Sequence, residues 1–501
     1  MRGLASSQIS RGSQTCIVVG GLERVEDLDL AAYPNVLWFG RGTTAMPDRF
    51  RVDPRKLAVE PLERIDAKRT VSVLDRFIRL DAVRLPSIFM TEDVVGEAAA
   101  NFLPIIEAIF AQCEMHHRVR GFRQRQGFIS QKHVLANLPA YVRRRVPRTW
   151  AGALDGVPAF VCGAGPSLDA SAAKLAECAR HGVVFAADSA VRALDKRGIE
   201  VDFAVAVDAR KTPVNCLPPG TRIPARVILA SAGAPAWLQA VPRERLYFLS
   251  GRQRTEDHLA QTGIAKTAAA VSENCGTTAI ELALYLSCRP ICLFGMDHAV
   301  DSKDPTRWHS QDLTENLQKQ MQLPPDRNYP KIPGNYQDEI ATPLFREWRF
   351  LDNRCAALPA GLVFNVIDRG ARLRNTTLVH PDDFAADPGW PEKSSHFAGL
   401  SAADSIGDDE WEKLRTAVVR DASRAADIAA QALHEVQHGR QQRAVAALGA
   451  FSQDDQFGLL FGNYSLKMLP HLLNSAEANP RLWAELAREC HELCALAKST
   501  R

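Results

Sequence analysis

The sequence of 501 residues lacks several features that would assign it to a simple class. No apolar run approaches the ~20 residues that a membrane-spanning helix needs, so we expect no membrane span. The 61 Lys and Arg residues nearly balance the 58 Asp and Glu residues, which gives no general case for nucleic-acid binding. Residues 1–14 are polar and lack the apolar core of a signal peptide, and we expect a disordered lead-in there.

The eleven cysteines are scattered, and none stands in a Cys-x-x-Cys pair. Cys162 and Cys292 fall inside apolar runs that are typical of strands, whereas Cys490 and Cys494 stand one helical turn apart. This distribution predicts reduced, mostly buried thiols and a cytoplasmic protein.

The most informative stretch runs from Pro158 to Asp208 and reads as strand, glycine turn, helix, strand, helix, strand. Short apolar strands that alternate with helices predict a parallel sheet covered on both faces. In such sheets ligands bind beyond the carboxyl ends of the strands. The polar groups at these ends are the turn Gly163–Ser167, the pair Asp188 and Ser189, and Asp208.

The glycine turn has the chemistry of an anion site. Gly163 and Gly165 lack a Cβ, so the backbone can turn sharply and approach a ligand closely. Pro166 at a first helical position loses no useful hydrogen bond, and free N–H groups at a helix start favour a phosphate. The pattern is neither Gly-x-Gly-x-x-Gly nor a Walker loop. An ordinary turn is the alternative, but the acidic residues at two further strand ends favour a nucleotide site.

The basic segment 209–212 fits either the flank of an anionic substrate or a plain loop.

Upstream, residues 15–150 predict a smaller α/β domain with a helical connector, with strands at 16–21, 36–40 and 87–90. For Gly20-Gly21 a structural turn is favoured over a second phosphate site. A helical pattern runs from Val94 to Phe128, and a linker at 150–156 marks the predicted boundary. For the arginines near this connector, a solvated face is favoured over phosphate contacts; they are Arg118, Arg120, Arg123, Arg125, Arg143, Arg144, Arg145 and Arg148.

A second informative stretch runs from Asn274 to His309. It predicts a helix over 279–286, capped by Thr277 or Thr278, and a strand over 291–294 with Asp297 just beyond its end. The following polar loop can supply a general base, a general acid or metal ligands, and its side chains include Asp301, Asp304, Trp308 and His309. A functional role is favoured for Asp297, whereas for His309 a functional and a merely solvated role stay open.

The remainder predicts a polar insertion over 313–338, which fits a closing segment or inert surface, and a strand over 362–366. From about residue 401 helical spacing dominates, with helices over 408–442, 456–473 and 480–498. The predicted domains are therefore a lead-in (1–14), an N-terminal α/β domain (15–150), a central domain (151–395) and an all-α C-terminal domain (400–501).

The segment Gly163–Asp169 resembles the Gly-x-Gly-Pro-Ser-Leu signature of one domain family. That family includes the bacterial motility accessory factor proteins, which are flagellin glycosyltransferases, and archaeal 6-hydroxymethyl-dihydropterin diphosphokinases. The resemblance extends from Asn137 to about Leu373. It departs from the family at Met296, where Gln is frequent, and at Val201, where Pro is usual.

The resemblance implies a doubly wound, Rossmann-like central domain similar to bacterial sialyltransferases. It implies transfer of a nonulosonic acid from a CMP-sugar to a Ser or Thr hydroxyl of a protein such as flagellin. The residues it assigns to nucleotide and phosphate binding are Gly163, Ala164, Gly165, Pro166, Ser167, Asp188, Ser189, Asn274, Gly276, Thr277, Gly295 and Thr342. The catalytic candidates are Asp297, His309 and Asp208, and the candidates for contact with a metal such as Mg²⁺ are Asp208 and Asp297.

Two alternatives to a glycosyltransferase stay open at this point. The first is ATP-dependent pyrophosphoryl transfer to a hydroxymethylpterin-like substrate, with Mg²⁺ on Asp208 and Asp297. A large helical tail is unnecessary for so small a substrate. The second is a non-catalytic nucleotide-binding scaffold, for which the departure at Met296 leaves room.

Overall fold

The computed structural model describes residues 15–499 except 23–27, 42–44, 79–85, 97–98, 252, 325–327, 394–396, 398–399, 401 and 454–479. The predicted lead-in and the predicted helix over 456–473 thus lie outside the described residues. Contacts group the chain into two compact units. Unit 1 comprises Met1–Phe128, Gln431–Ser452 and Phe461–Leu486, and unit 2 comprises Ile129–Ala430, Gln453–Leu460 and Ala487–Arg501. The predicted domain boundaries at residues 150 and 400 stay predictions.

Unit 1 contains a four-stranded parallel sheet in the order β3-β2-β1-β4. Its strands are β1 (Thr15–Gly20), β2 (Asn35–Gly40), β3 (Leu57–Pro61) and β4 (Ser87–Met90). The three strands predicted here are confirmed. The fourth, β3, is half-buried and contains Glu60 and Pro61, so it lacks the continuous apolar run that identifies a buried strand. Its helices begin with α1 (Ala67–Phe77) and α2 (Glu92–Val95).

The glycine turn after β1 is closed by protein atoms. Gly20 has a φ of +115°, and a Cβ on it would lie 1.7 Å from Thr91 Oγ1. The N–H of Gly21 donates to Asp93 Oδ2 at 3.2 Å. These contacts agree with the structural interpretation of the Gly20-Gly21 turn, because its donor is used within the protein.

Unit 2 contains an eight-stranded parallel sheet. Its first six strands are β5 (Ala159–Cys162), β6 (Val183–Ala187), β7 (Phe203–Ala206), β8 (Arg226–Ala230), β9 (Leu246–Leu249) and β10 (Ile291–Phe294). A hairpin of β11 (Lys331–Pro333) and β12 (Glu339–Ala341) lies outside this sheet, and β13 (Val363–Val366) and β14 (Thr377–Val379) complete it. The strand order is β14-β13-β10-β5-β6-β7-β8-β9, which confirms the predicted doubly wound architecture.

The remaining helices follow in chain order. They are α3 (Ala99–Tyr141), α4 (Leu168–Cys178), α5 (Val191–Asp195), α6 (Pro213–Cys216), α7 (Trp237–Ala240), α8 (Arg254–Gln261), α9 (Cys275–Tyr285), α10 (Glu315–Met321), α11 (Phe345–Ala356), α12 (Asp408–Gln437), α13 (Gln441–Gln453) and α14 (Pro480–Ser499). Helix α9 begins four residues earlier than predicted, because Asn274 rather than Thr277 or Thr278 is its N-cap.

The segment predicted as a linker is part of the core of unit 2. Trp150 is fully buried, and its ring centroid lies 4.7 Å from that of Tyr247 and 5.9 Å from that of Phe203. The N–H of Gly152 donates to Tyr285 O at 3.0 Å. The Gly and Asp residues of this segment therefore form turns that pack against unit 2, and the segment is not a flexible linker.

The arginines at the end of the connector bind rings and carbonyls of their own chain. The Arg143 guanidinium lies 5.5 Å from the Trp411 ring centroid, and that of Arg144 lies 4.8 Å from the Tyr247 ring. Arg145 Nη1 donates to Ala265 O at 3.0 Å. The side chains of Arg118, Arg120, Arg123 and Arg125 lie outside the described part of the chain.

All eleven cysteines are buried and free, which confirms the predicted reduced thiols. Burial raises the pKa of several of them, as at Cys16 and Cys113, to about 12. Within the described residues, no helix has both the length and the apolar character needed to cross a bilayer.

If the segment around Trp150 is core, Trp150→Ala should lower the free energy of unfolding by about 3–5 kcal/mol, because it removes a large buried side chain. Urea unfolding followed by circular dichroism measures the change. Val214→Ala is the matched control, since Val214 is 72% exposed and its truncation should change little. Equal midpoints for the two variants would contradict a core role for Trp150.

Candidate functional site

The strand order places the expected ligand crevice between β5 and β10. After β5 the chain builds β6 to β9 on one side, and then returns to the other side of β5 with β10. Ligands in such sheets bind at the carboxyl ends of the two strands that flank this reversal. The turn Gly163–Ser167 follows β5, and Gly295–Asp297 follows β10. The topology therefore brings together the two motifs that the sequence singled out.

These two motifs meet through a carboxylate at a helix start. Ser167 N–H donates to both oxygens of Asp297, at 3.1 and 3.2 Å, and Ser167 Oγ donates to Oδ2 at 2.7 Å. Ser167 directly precedes α4, whose first N–H groups favour a negative charge. The start of α4 thus binds an anion, and that anion is the side chain of Asp297.

The glycines of both turns allow the chain to approach itself. A Cβ on Gly165 would lie 2.0 Å from Asp297 Oδ2, and one on Gly163 would lie 2.4 Å from Gly295 O. Gly295 has a φ of +61°, which disfavours a side chain independently of space. The sequence indicated a close approach at these positions, and the structure shows that it is made by the turn after β10.

The N–H groups of Gly163, Gly165 and Ser167, which the sequence assigned to a phosphate, have partners within the protein. The N–H groups of Gly163 and Gly165 donate to Phe294 O and Gly295 O, each at 2.8 Å. Pro166 has no N–H, and the donors of Ser167 are used by Asp297. Phosphate binding by this turn therefore stays a prediction.

Asp297 has an unusual protonation equilibrium. It is 2% exposed, and burial raises its pKa to about 7, even though the hydrogen bonds from Ser167 act in the opposite direction. A carboxyl group with a pKa near neutrality can take or give a proton at physiological pH.

A second charged group lies at the ends of β6 and β7. Asp188 is fully buried, and its Oδ1 accepts from Ser189 N–H at 2.7 Å and from Lys211 Nζ at 3.1 Å. Burial acts to lower the pKa of Lys211, but the Asp188 carboxylate, together with the neighbouring Cys275 and Cys216 thiols, raises it above its ordinary value. From the sequence, segment 209–212 fits either the flank of an anionic substrate or a plain loop. No periodicity or motif distinguishes a buried lysine from a lysine in an exposed loop.

The candidate metal ligands Asp208 and Asp297 follow strands that are not neighbours, and their role toward a metal stays a prediction. Asp208 is exposed and accepts from Arg210 N–H at 2.8 Å. Strands β7 and β10 are three strand spacings apart, which is about 14 Å at about 4.8 Å per spacing. Mg²⁺ needs ligands at about 2.0–2.1 Å. Among the described residues, no group of three or more His, Cys, Asp or Glu side chains could hold a metal ion.

His309 lies beside the glycine turn. The N–H of its neighbour Ser310 donates to Ala164 O at 2.8 Å. His309 is 6% exposed, and its Nδ1 lies 2.9 Å from Ser310 O. Since a carbonyl oxygen only accepts, the proton is on Nδ1, and Nε2 is the basic nitrogen.

A network of ion pairs that sequence analysis did not identify holds the His309 loop. Asp169 in α4 pairs with Arg307 at 3.2 Å and with Arg197 at 3.0 Å. Arg307 also pairs with the buried Asp301, which in turn accepts from Arg369 Nη1 at 2.8 Å. The residues are far apart in sequence, so only the tertiary structure reveals the network.

The other assigned residues have local structural contacts. Asn274 Oδ1 accepts from Thr277 N–H at 2.9 Å, and Thr277 Oγ1 accepts from Asn274 N–H at 3.0 Å, so the two form a capping box for α9. A Cβ on Gly276 would lie 2.6 Å from Met296 Cε. Thr342 Oγ1 donates to His298 O at 2.5 Å. Their roles toward a nucleotide stay predictions.

Gly165→Ala should lower the melting temperature markedly, because the new Cβ meets both the Asp297 carboxylate and a backbone carbonyl. Removing the carboxylate in the double variant Gly165→Ala/Asp297→Ala should recover part of the lost stability. Thermal unfolding of the wild type, the two single variants and the double variant measures this recovery. Gly407→Ala is the control, since nothing lies within 4 Å of its Cβ position. Strict additivity of the two single changes would contradict the contact.

The pKa of Asp297 predicts a pH-dependent stability. The folded pKa of about 7 exceeds the ordinary value of 3.8, so this group stabilises the fold below about pH 4, and that contribution is lost as the pH rises to about 7. At about 1.4 kcal/mol per pKa unit, the change can reach roughly 4 kcal/mol. The melting temperature of the wild type minus that of Asp297→Asn should therefore fall between pH 4 and pH 7.

Thermal unfolding of both proteins in one series of buffers measures this difference in melting temperature. The titration of all other groups affects both proteins equally and therefore cancels. A difference that is constant across the series, or that rises with pH, would show that burial does not raise the pKa of Asp297.

The comparisons with known proteins agree with this fold. Residues 132–303, about a third of the chain, match the family model for 6-hydroxymethylpterin diphosphokinase MptE-like domains. The structure of a Maf glycosyltransferase from Magnetospirillum magneticum AMB-1 superimposes with a TM-score of 0.55 at 14% identity, over 97% of this chain and 79% of that one. No curated protein matches the sequence. The resemblance predicted from the sequence is thus confirmed: residues 132–303 match the MptE-like family model, and the fold is shared with a Maf glycosyltransferase.

Proposed function

We propose that this protein is a glycosyltransferase that moves a sialic-acid-like sugar from a CMP-activated donor to a hydroxyl group of a protein such as flagellin. The observation that carries the proposal is the likeness in fold to a Maf glycosyltransferase over nearly the whole chain. The reversal of strand order between β5 and β10 supports it, because an open parallel sheet binds nucleotides at such a reversal. The eleven free cysteines agree with a reaction in the cytoplasm.

The chemistry of this transfer sets two requirements. The bond between the anomeric carbon and the phosphate oxygen breaks, and CMP leaves with the bonding electrons. The acceptor hydroxyl forms the new bond to that carbon and gives up its proton. The site must therefore stabilise a leaving phosphate and supply a general base.

His309 and Asp297 are the proposed acid–base residues. The Ser310 contact holds the His309 loop beside the glycine turn, with Nε2 as the basic nitrogen. Asp297 contacts the same turn through Ser167, and its pKa of about 7 suits proton transfer. Because Asp297 also caps α4, its replacement affects both the fold and the chemistry, so His309 provides the cleaner test.

A pyrophosphoryl transfer from ATP is the second candidate function, and the match to the MptE-like family model favours it. Such a reaction uses Mg²⁺ to bridge phosphate oxygens. The separation between Asp208 and Asp297 gives no support to one ion held by both, which favours the glycosyltransferase. The proposed acceptor is also a large protein, for which additional domains have a use.

A nucleotide screen by thermal shift separates the two functions. Ligands that bind the native state raise the melting temperature by mass action. We expect a shift with CMP or CDP that needs no Mg²⁺, and little change with UDP or GDP. A shift only with ATP and Mg²⁺ would favour the diphosphokinase, and no shift with any nucleotide would favour a protein without a nucleotide substrate.

His309→Gln should lower the rate of sugar transfer about 10²–10⁴-fold, because it removes the proposed base, while the melting temperature changes little. The assay uses CMP-N-acetylneuraminate and flagellin from the same organism, and mass spectrometry of intact flagellin measures the transfer. The half-exposed His380 provides the control variant, His380→Gln. An unchanged rate in His309→Gln would remove His309 from the mechanism.

A further inference from the structure

A lysine–carboxylate pair lies at the carboxyl ends of β6 and β7, beside the crevice. Lys211 Nζ lies 3.1 Å from Asp188 Oδ1, and the indole N–H of Trp237 donates to Lys211 O at 3.0 Å, which fixes the backbone of the lysine. The Lys211 side chain is 27% exposed, whereas that of Asp188 is fully buried. The pair thus has a fully buried anionic member and a cationic member whose side chain is partly exposed.

The second oxygen of Asp188 has no hydrogen-bond partner. Oδ2 is buried, whereas Oδ1 accepts from both Ser189 N–H and Lys211. A buried carboxylate oxygen without a donor is costly, and such a group calls for an explanation, of which a bound ligand is one. A hydroxyl group of a ligand would supply the missing donor.

Lys211 also retains donors for a ligand. An ammonium group has three N–H bonds, and one of them points to Asp188. Two arginines of the neighbouring loops are differently placed: Arg307 contacts Asp169 and Asp301, and Arg369 contacts Asp301 and Asp368. Each of these arginines is balanced by two carboxylates, whereas Lys211 has one.

Most donors of the glycine turn are already used within the protein. Its Ser167 N–H and hydroxyl bind the Asp297 carboxylate, and the N–H groups of Gly163 and Gly165 bind carbonyl oxygens. An anionic substrate at the crevice therefore needs a positive group elsewhere at the strand ends, and β6 is the immediate neighbour of β5.

We propose that Lys211 and Asp188 form a subsite for the sugar-nucleotide donor. The Lys211 ammonium binds an anionic oxygen, from the phosphate or from the sugar carboxylate, and Asp188 Oδ2 accepts a hydrogen bond from a nearby hydroxyl group. This inference rests on the proposed function for the identity of the donor. It assigns the recognition of the anion to Lys211 instead of the glycine turn.

The test compares ligand binding by the full chain with Lys211→Met and with Asp188→Asn/Lys211→Met. The single change leaves a buried carboxylate unpaired and should lower the melting temperature, whereas the double change removes both charges and should recover much of it. Lys174→Met is the control, since Lys174 pairs with Glu177 on the surface of α4. Isothermal titration calorimetry with CMP and with CMP-N-acetylneuraminate gives the affinities.

We expect both Lys211 variants to bind about 10–100-fold more weakly than the wild type, and Lys174→Met to bind normally. Weaker binding of both ligands identifies the phosphate as the contact, and weaker binding of CMP-N-acetylneuraminate alone identifies the sugar carboxylate. A double variant with restored stability and wild-type affinity for both ligands would overturn the subsite and leave the pair a purely structural role.

The wild type separates this inference from the proposed function. If the wild type binds neither CMP nor CMP-N-acetylneuraminate, the proposal of a CMP-activated donor is wrong. The same variants are then titrated with ATP and Mg²⁺. Loss of ATP binding in the double variant would retain the subsite for another nucleotide. Equal ATP affinity of the wild type and the double variant, or no binding of any of these ligands to the wild type, would overturn the subsite.

Discussion

The contact between Asp297 and the start of α4 determines how the carboxyl edge of the large sheet is built. It joins the turn after β5 to the turn after β10 across the point where the strand order reverses. Side chains are excluded from Gly163, Gly165 and Gly295, because the two turns approach to within van der Waals distance. The same turn accepts Ser310 N–H at Ala164 O, so the loop of His309 is positioned by this junction as well. This edge of the sheet is therefore held together by contacts within the chain.

Unit 1 repeats this arrangement in a smaller sheet. Gly20 and Gly21 follow the inner strand β1, and Asp93 follows β4 on the far side of the reversal and accepts the Gly21 N–H. In both sheets an acidic residue from the neighbouring strand end satisfies the donors that a glycine turn exposes. A glycine turn after an inner parallel strand is thus not sufficient evidence for a phosphate, since a carboxylate of the same chain provides an equivalent anion.

The charged groups at this edge fall into two kinds with different consequences. Asp169, Asp301, Arg307 and Arg369 form ion pairs with one another and fix the loop that follows β10. Asp188 and Lys211 form one pair that retains an unpartnered acceptor and unused donors. Charge balance, rather than proximity to the crevice alone, therefore distinguishes structural ion pairs from groups that can receive a ligand. With the proposed acid–base residues on the β5–β10 side, leaving group and acceptor would lie over adjacent strands.

The sequence by itself determined the parallel sheets, because short apolar runs between helices have no other stable arrangement than strands covered on both faces. It also identified the two strand ends that meet in the structure, through Gly163–Ser167 and Asp297, and it indicated the resemblance to the MptE-like family. It did not reveal β3, whose residues are only half-buried. It also did not reveal that Trp150 lies in the core, because the Gly and Asp residues that follow it are typical of a linker. The tertiary structure alone decided which partner each polar group has. Whether Ser167 bonds a phosphate or Asp297, and whether Lys211 is a loop lysine or the partner of a buried carboxylate, depends on residues 130 and 23 positions away in the chain.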